Sequence, residues 1–278
     1  MAERVRLSDA PRSVPGVPSF IGQPGPSPVH RLNPLTKATL ATVTAIAAVV
    51  LGGLVGPIIL VAVTIVLPAA MAGVLRQLAR LSLLLALPIA VSAFLVNLFF
   101  FPGGEQVLLR IGPITATAEG LGFAVEILVR ILAISGAVTL FYLTTRPSDL
   151  VVDLERRGVS SRVGFVANAS VQTVPSMVER AVQITAAQRA RGLDTEGSLW
   201  RRVRGVLPIV GPVILGSIAE VEERTMALEA RGFTRPGRRT LLWAPGDTAW
   251  ERIARWLLVA SVPFLLTARA TGLLGGLG

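Results

Sequence analysis

Leu81-Ser82-Leu83-Leu84-Leu85-Ala86-Leu87-Pro88-Ile89-Ala90-Val91-Ser92-Ala93-Phe94-Leu95-Val96-Asn97-Leu98-Phe99-Phe100 carries no charge. About 20 apolar residues are what a helix needs to cross a hydrocarbon core of ~30 Å, so the stretch reads as a membrane span. Working outward, no charge appears between Arg80 and Glu105, nor between Lys37 and Arg76. The longer gap has room for two short spans joined by the turn Gly52-Gly53-Leu54-Val55-Gly56-Pro57. A fourth span runs from Gly120 to Thr145, interrupted only by Glu126 and Arg130, and a short last one from Ile253 to Ala268 is bracketed by arginines. The pattern predicts an all-α integral membrane protein of about five transmembrane helices.

Composition agrees. The chain has 278 residues, of which 52% are hydrophobic, and its mean hydropathy is +0.64, outside the usual soluble range. Cysteine is absent, which removes disulfides, thiolate nucleophiles and Cys-based metal sites. The only histidine, His30, sits at the membrane edge. Residues 1–30 are rich in Pro, Ser and Gly and lack the apolar core of a signal peptide, so they read as a disordered tail.

Positive residues set the orientation. Arg31 and Lys37 precede the first span, Arg76 and Arg80 lie between the second and third, and arginine exceeds acid from Arg146 to Arg255. The segment Phe101 to Gly120 has only Arg110. The N-terminus and the long segment after the fourth span are therefore expected in the cytoplasm, and the C-terminus outside. This arrangement and anionic lipid account for the net charge of +10. Nucleic acid is a poor fit, because the arginines alternate with acids and few aromatics interleave.

The expected layout is a tail over 1–30, four spans over 31–146, a cytoplasmic helical region over 147–250, and the last span within 251–278. In the helical region Pro147 starts a helix that Gly158 ends. Ser160 or Ser161 caps a longer one, with Val163, Val166, Val171, Val174, Val178, Ala181 and Val182 near helical spacing and Pro175 expected to kink it. A second long helix runs from about Val206 to Arg231. Both long helices end alike, in Ala190-Arg191-Gly192 and Ala230-Arg231-Gly232, and Thr185/Thr225 and Ala187/Ala227 also match at the same offset. Glycine permits the left-handed cap and an apolar residue follows each, Leu193 or Phe233. One such copy is an ordinary cap with a cation that compensates the helix dipole. Two copies suggest a soluble partner with two equivalent sockets.

These residues resemble the T component of energy-coupling factor (ECF) transporters, the CbiQ/EcfT family. The likeness runs from His30-Arg31-Leu32-Asn33-Pro34-Leu35-Thr36-Lys37 through Thr144-Thr145-Arg146-Pro147-Ser148-Asp149-Leu150 and the two Ala-Arg-Gly motifs to the last span. Asn33 departs from it, because the family usually has Asp there.

The resemblance implies a non-enzymatic coupling subunit of an ATP-driven importer for a vitamin or a transition-metal ion such as cobalt. Two cytoplasmic ABC-type ATPase subunits would receive the coupling helices, through Arg191 and Arg231, with Ala190, Gly192, Ala230 and Gly232 shaping the docking surface. ATP and Mg would bind those partners; this chain has no G-x-x-x-x-G-K-[ST] loop and is expected to bind no cofactor. A separate membrane S component would bind the cargo. Val166, Val174, Met177, Val178, Ile214 and Ile218 either offer the S component a surface or pack the two helices on each other.

Glu126 and Arg130, four apart in the fourth span, sit on one helix face and read as a structural intramembrane pair. Asn97 is expected to hydrogen-bond between helices. The competing reading is a self-sufficient secondary transporter or channel using Glu126 and Arg130, which would transport without ATPases. A membrane enzyme lacks any catalytic constellation to support it.

Overall fold

A computed structural model describes residues 27–101, 106–111, 114–192, 199–233, 235 and 245–271. The expected tail falls outside the described residues as far as position 26. From Ser27 the chain is structured: Ser27 Oγ caps the short helix α1 (Pro28–Arg31) and donates to the Met71 carbonyl at 2.8 Å.

Two compact units emerge. Among the described residues, one contains the chain up to Asp153 and again after Ala244; the other lies within the inserted segment Leu154–Trp243. In the first unit, α2 (Pro34–Val50) leads to α3 (Val55–Val61), a π turn (Ala62–Val66) and α4 (Leu67–Ala72), which together form one rod. The π turn lies just before Pro68, whose ring removes the N–H that would bond to the Thr64 carbonyl. Then come α5 (Leu75–Phe100), the strands β1 (Val107–Ile111) and β2 (Ile114–Thr117), α6 (Ala118–Thr144) and α7 (Pro147–Arg156). After the insertion the unit closes with α10 (Ala249–Ala270). The passage from one unit to the other falls inside α7 and at residue 244.

Four helical rods are long and apolar enough to cross a membrane: Val55–Ala72, Leu75–Phe100, Ala118–Thr144 and Ala249–Ala270. With the shorter α2 they are the five expected helices, and the described residues are helical apart from turns and the antiparallel β1–β2 hairpin. The last span extends at both ends beyond Ile253–Ala268. Thr248 and Glu251 form a capping box that starts it, and its polar first turns hide it from hydropathy.

The bundle packs through small residues. Ala47, Ala48, Ala69, Ala86, Ala90, Ala124, Ala133 and Ala137 are buried, which lets helix backbones approach closely. Gly136 marks one close approach, since a Cβ there would lie 3.3 Å from Ile65 Cδ1. Ile65, Ala69, Leu78, Ala137 and Leu140 form one buried cluster across the π turn, α4, α5 and α6. Leu84, Leu85, Leu87 and Ile89 on α5 are exposed, as lipid-facing side chains are. Asn97 differs from expectation: its Nδ2 donates to the Ala93 carbonyl of its own helix, 2.7 Å away. In an apolar medium the carbonyl one turn back is the nearest acceptor, and no second helix is required.

The inserted unit holds α8 (Ser161–Ala190) and α9 (Leu199–Ala230). Ser160 is the residue that caps α8, its Oγ accepting from Val163 N at 3.4 Å. Helix α9 begins at Leu199, seven residues before the expected Val206, and carries Pro208 and Pro212 within its length. Phe165 meets Phe233 edge to face at 4.8 Å, and Arg180 pairs with Glu220 at 2.5 Å. The start of α8 therefore lies beside the end of α9, and the two run antiparallel.

Candidate functional site

Both helix ends adopt the geometry that glycine permits. Gly192 has φ +90° and Gly232 φ +72°, left-handed values that other residues adopt at a cost. Gly192 N donates to the Arg189 carbonyl and Gly232 N to the Glu229 carbonyl, both at 2.9 Å. Phe233 N reaches back to the Leu228 carbonyl at 3.0 Å, which completes a Schellman-type end on α9. Phe233 then packs on Phe165, while Leu193 lies outside the described residues. Ala190, Arg191, Gly192, Ala230, Arg231 and Gly232 are all exposed. Among the described residues neither Arg191 nor Arg231 is in an ion pair.

The antiparallel arrangement separates the two ends. Arg231 lies by the start of α8 and Arg191 at its finish, roughly 40 Å away along the helix at ~1.5 Å per residue. Val166, Val174, Met177, Val178, Ile214 and Ile218 are all exposed, with Val166 at 62% and Ile214 at 53%. Arg180, lying over Gly216 and bound to Glu220, ties α8 to α9 at mid-length.

A second constellation lies at the N-terminal end of α2. Asn33 Oδ1 caps the helix by accepting from Leu35 N at 2.9 Å, and its Nδ2 donates to the Gly246 carbonyl at 3.1 Å. Lys37 Nζ donates to the Thr144 carbonyl at 2.7 Å and the His30 carbonyl at 3.1 Å. Arg255 donates to both Asp247 oxygens at 2.8 and 2.9 Å and to Thr36 Oγ1 at 2.9 Å. Glu251 Oε1 accepts from Asn33 N at 2.7 Å. Desolvation and the neighbouring Lys37 charge hold the His30 imidazole below its ordinary pKa.

The other end of α2 is held by guanidinium groups. Arg130 pairs with Glu126 and donates to the Leu51 carbonyl at 3.3 Å, and Arg269 donates to the Val50 carbonyl. Those carbonyls have no intrahelical partner, so two cations at a helix C-terminus complete their hydrogen bonding. Between the two ends of α2, a cavity of about 320 Å³ is lined by Leu40, Thr44, Thr64, Leu67, Leu140 and Phe141, with Lys37 on its wall.

The profile of the CbiQ family, described as cobalt transport protein, matches residues 25–241. The chain is 31% identical over 252 residues to the energy-coupling factor transporter transmembrane protein EcfT of Brevibacillus brevis, covering 82% of this chain and 92% of that one. It is 32% identical over 224 residues to the protein of that name from Heliobacterium modesticaldum, covering 74% and 80%. The chain belongs to the CbiQ/EcfT family, the T components of energy-coupling factor transporters.

In this EcfT-family chain the helix ends were legible from the sequence, whereas Asp247, Glu251 and Arg255 were not singled out. The signal was there: Thr248-Ala249-Trp250-Glu251 has capping-box spacing directly after Pro245-Gly246-Asp247. The Asn33 departure also has a consequence. Asp would cap α2 equally well, but only the amide of Asn33 donates to Gly246.

Proposed function

We propose that this EcfT-family chain is the non-catalytic coupling subunit of an ATP-driven importer for a vitamin or transition-metal ion. Arg191 and Arg231 each dock in one of two cytoplasmic ABC-type ATPase subunits, which bind ATP and Mg. A guanidinium keeps its charge and forms a bidentate pair with a carboxylate, the small alanine lets the helix end seat deeply, and glycine turns the chain away at once. The observation that carries this is the pair of exposed, glycine-ended termini at opposite ends of one antiparallel helix pair. A separation of roughly 40 Å suits two sockets on two subunits better than one shared pocket.

The exposed apolar side chains of α8 and α9, Val166, Val174, Met177, Val178, Ile214 and Ile218, receive the membrane S component that binds the cargo. Such contact is weakly directional, so the S component is free to reorient as the helices move. The N-terminus and the inserted unit lie in the cytoplasm and the C-terminus outside, as the arginine excess requires. Arg130, paired with Glu126, completes the C-terminal end of α2, a structural role for the intramembrane pair.

Affinity purification of the chain, co-expressed with its ATPases, is expected to recover two nucleotide-binding subunits. Truncating one partner of a desolvated charge pair costs about 2–5 kcal/mol, so Arg191→Glu/Arg231→Glu should abolish that recovery. Undiminished recovery with the double variant overturns the assignment of both arginines.

A further inference from the structure

The residues that anchor the first turn of α2 also hold the chain on both sides of the insertion. The bundle unit is left after Asp153 and rejoined at Ala244. Before the departure, Lys37 Nζ holds the Thr144 carbonyl at 2.7 Å; after the return, Asn33 Nδ2 holds the Gly246 carbonyl at 3.1 Å. Arg255 ties Thr36 on α2 to Asp247 on the return, and Glu251 accepts from the Asn33 backbone N–H. Asn33, Thr36, Lys37, Glu251 and Arg255 are all buried. Asp149, on α7 beside the departure, and Glu251 both act electrostatically on Lys37.

Burying this many charges is a costly way to hold helices together. Well-packed apolar side chains of similar volume often do as well or better. Apolar packing does not, however, fix a backbone carbonyl at one distance and angle, and here the bonded carbonyls flank the two connections. We propose that Asn33, Lys37 and Arg255 form a positioning clamp. It keeps the departure and return of the inserted unit at one spacing, so that a nucleotide-driven movement reaches the bundle undiminished instead of being absorbed at the connections. The clamp rests on the coupling role proposed above.

The absence of cysteine allows a direct test in the full complex with its ATPases. Arg146 and Trp250, both exposed, flank the two connections and accept spin labels as Arg146→Cys/Trp250→Cys. With Lys37 intact, one inter-label distance is expected in nucleotide-free and vanadate-trapped states alike. Lys37→Met should broaden that distance and make it shift with nucleotide, and Lys37→Arg should restore it. Asn33→Ser keeps a capping oxygen but loses the reach to Gly246, and serves with the same expectation if Lys37→Met does not assemble. A single, nucleotide-independent distance in an assembled variant overturns the clamp, as does a distance that already moves with nucleotide when Lys37 is present. A wild-type chain that recruits no ATPase is a separate result, and it overturns the coupling role itself.

Discussion

Helices α6 and α8 are of similar length but are held very differently. Helix α6, with 27 residues, buries Gly120, Ala124, Ala133, Gly136, Ala137, Thr139, Leu140 and Thr144 against its neighbours. Helix α8, with 30 residues, buries Gly164 alone. Its valines stay exposed, and among the described residues an aromatic contact and a half-buried ion pair tie it to the α9 segment. The bundle therefore carries its own packing, whereas the α8–α9 pair leaves apolar surface of the kind a partner covers. This low self-sufficiency suits the coupling role proposed above, because segments that move are drawn from the less stable end of a structure.

Gly136→Leu attacks the packed side of the comparison. A side chain forced against Ile65 overpacks α6, and the expected cost is about 1–3 kcal/mol. It should lower the thermal midpoint of the purified chain in detergent; an unchanged midpoint would show that the close approach at Ile65 is not limiting.

Gly232→Ala attacks the other side. A left-handed residue with a Cβ costs roughly 1–2 kcal/mol, confined here to the end of α9. ATPase recovery should fall while the melting of the bundle stays put. A drop in both would mean that the two regions are not independent.

Arg180→Met gives the smallest effect. Its ion pair with Glu220 is partly exposed, so the loss should stay below about 1 kcal/mol and shrink as salt rises. Hydrogen exchange of α8 and α9 amides reads it directly. A loss of protection across both helices would make this pair far more important than its exposure suggests.

The spans and the helix ends were legible because their signals are local. Long apolar runs with few charges mark Leu75–Phe100 and Ala118–Thr144, and an Arg-Gly step after a long helical pattern marks a left-handed cap. The true start of α10 was less legible, because Glu251, Arg252 and Arg255 interrupt the apolar pattern that hydropathy follows. The hairpin β1–β2 lies in the segment Phe101 to Gly120, where the only signal in the sequence was a scarcity of positive charge. Asn97 was assigned a partner on another helix where the acceptor is one turn back.

By itself the sequence determined which segments cross the membrane and which two backbone positions end the long helices. Those properties depend on residues within a few positions of one another: apolar length, helical period and the conformational freedom of glycine. Only the tertiary structure decided that the two Ala-Arg-Gly ends lie at opposite ends of one antiparallel pair. It alone joined Asn33 to Glu251 across 218 positions. Such contacts leave no period and no spacing in the chain, since a buried hydrogen bond constrains where two atoms meet in space and nothing about how far apart their residues are written.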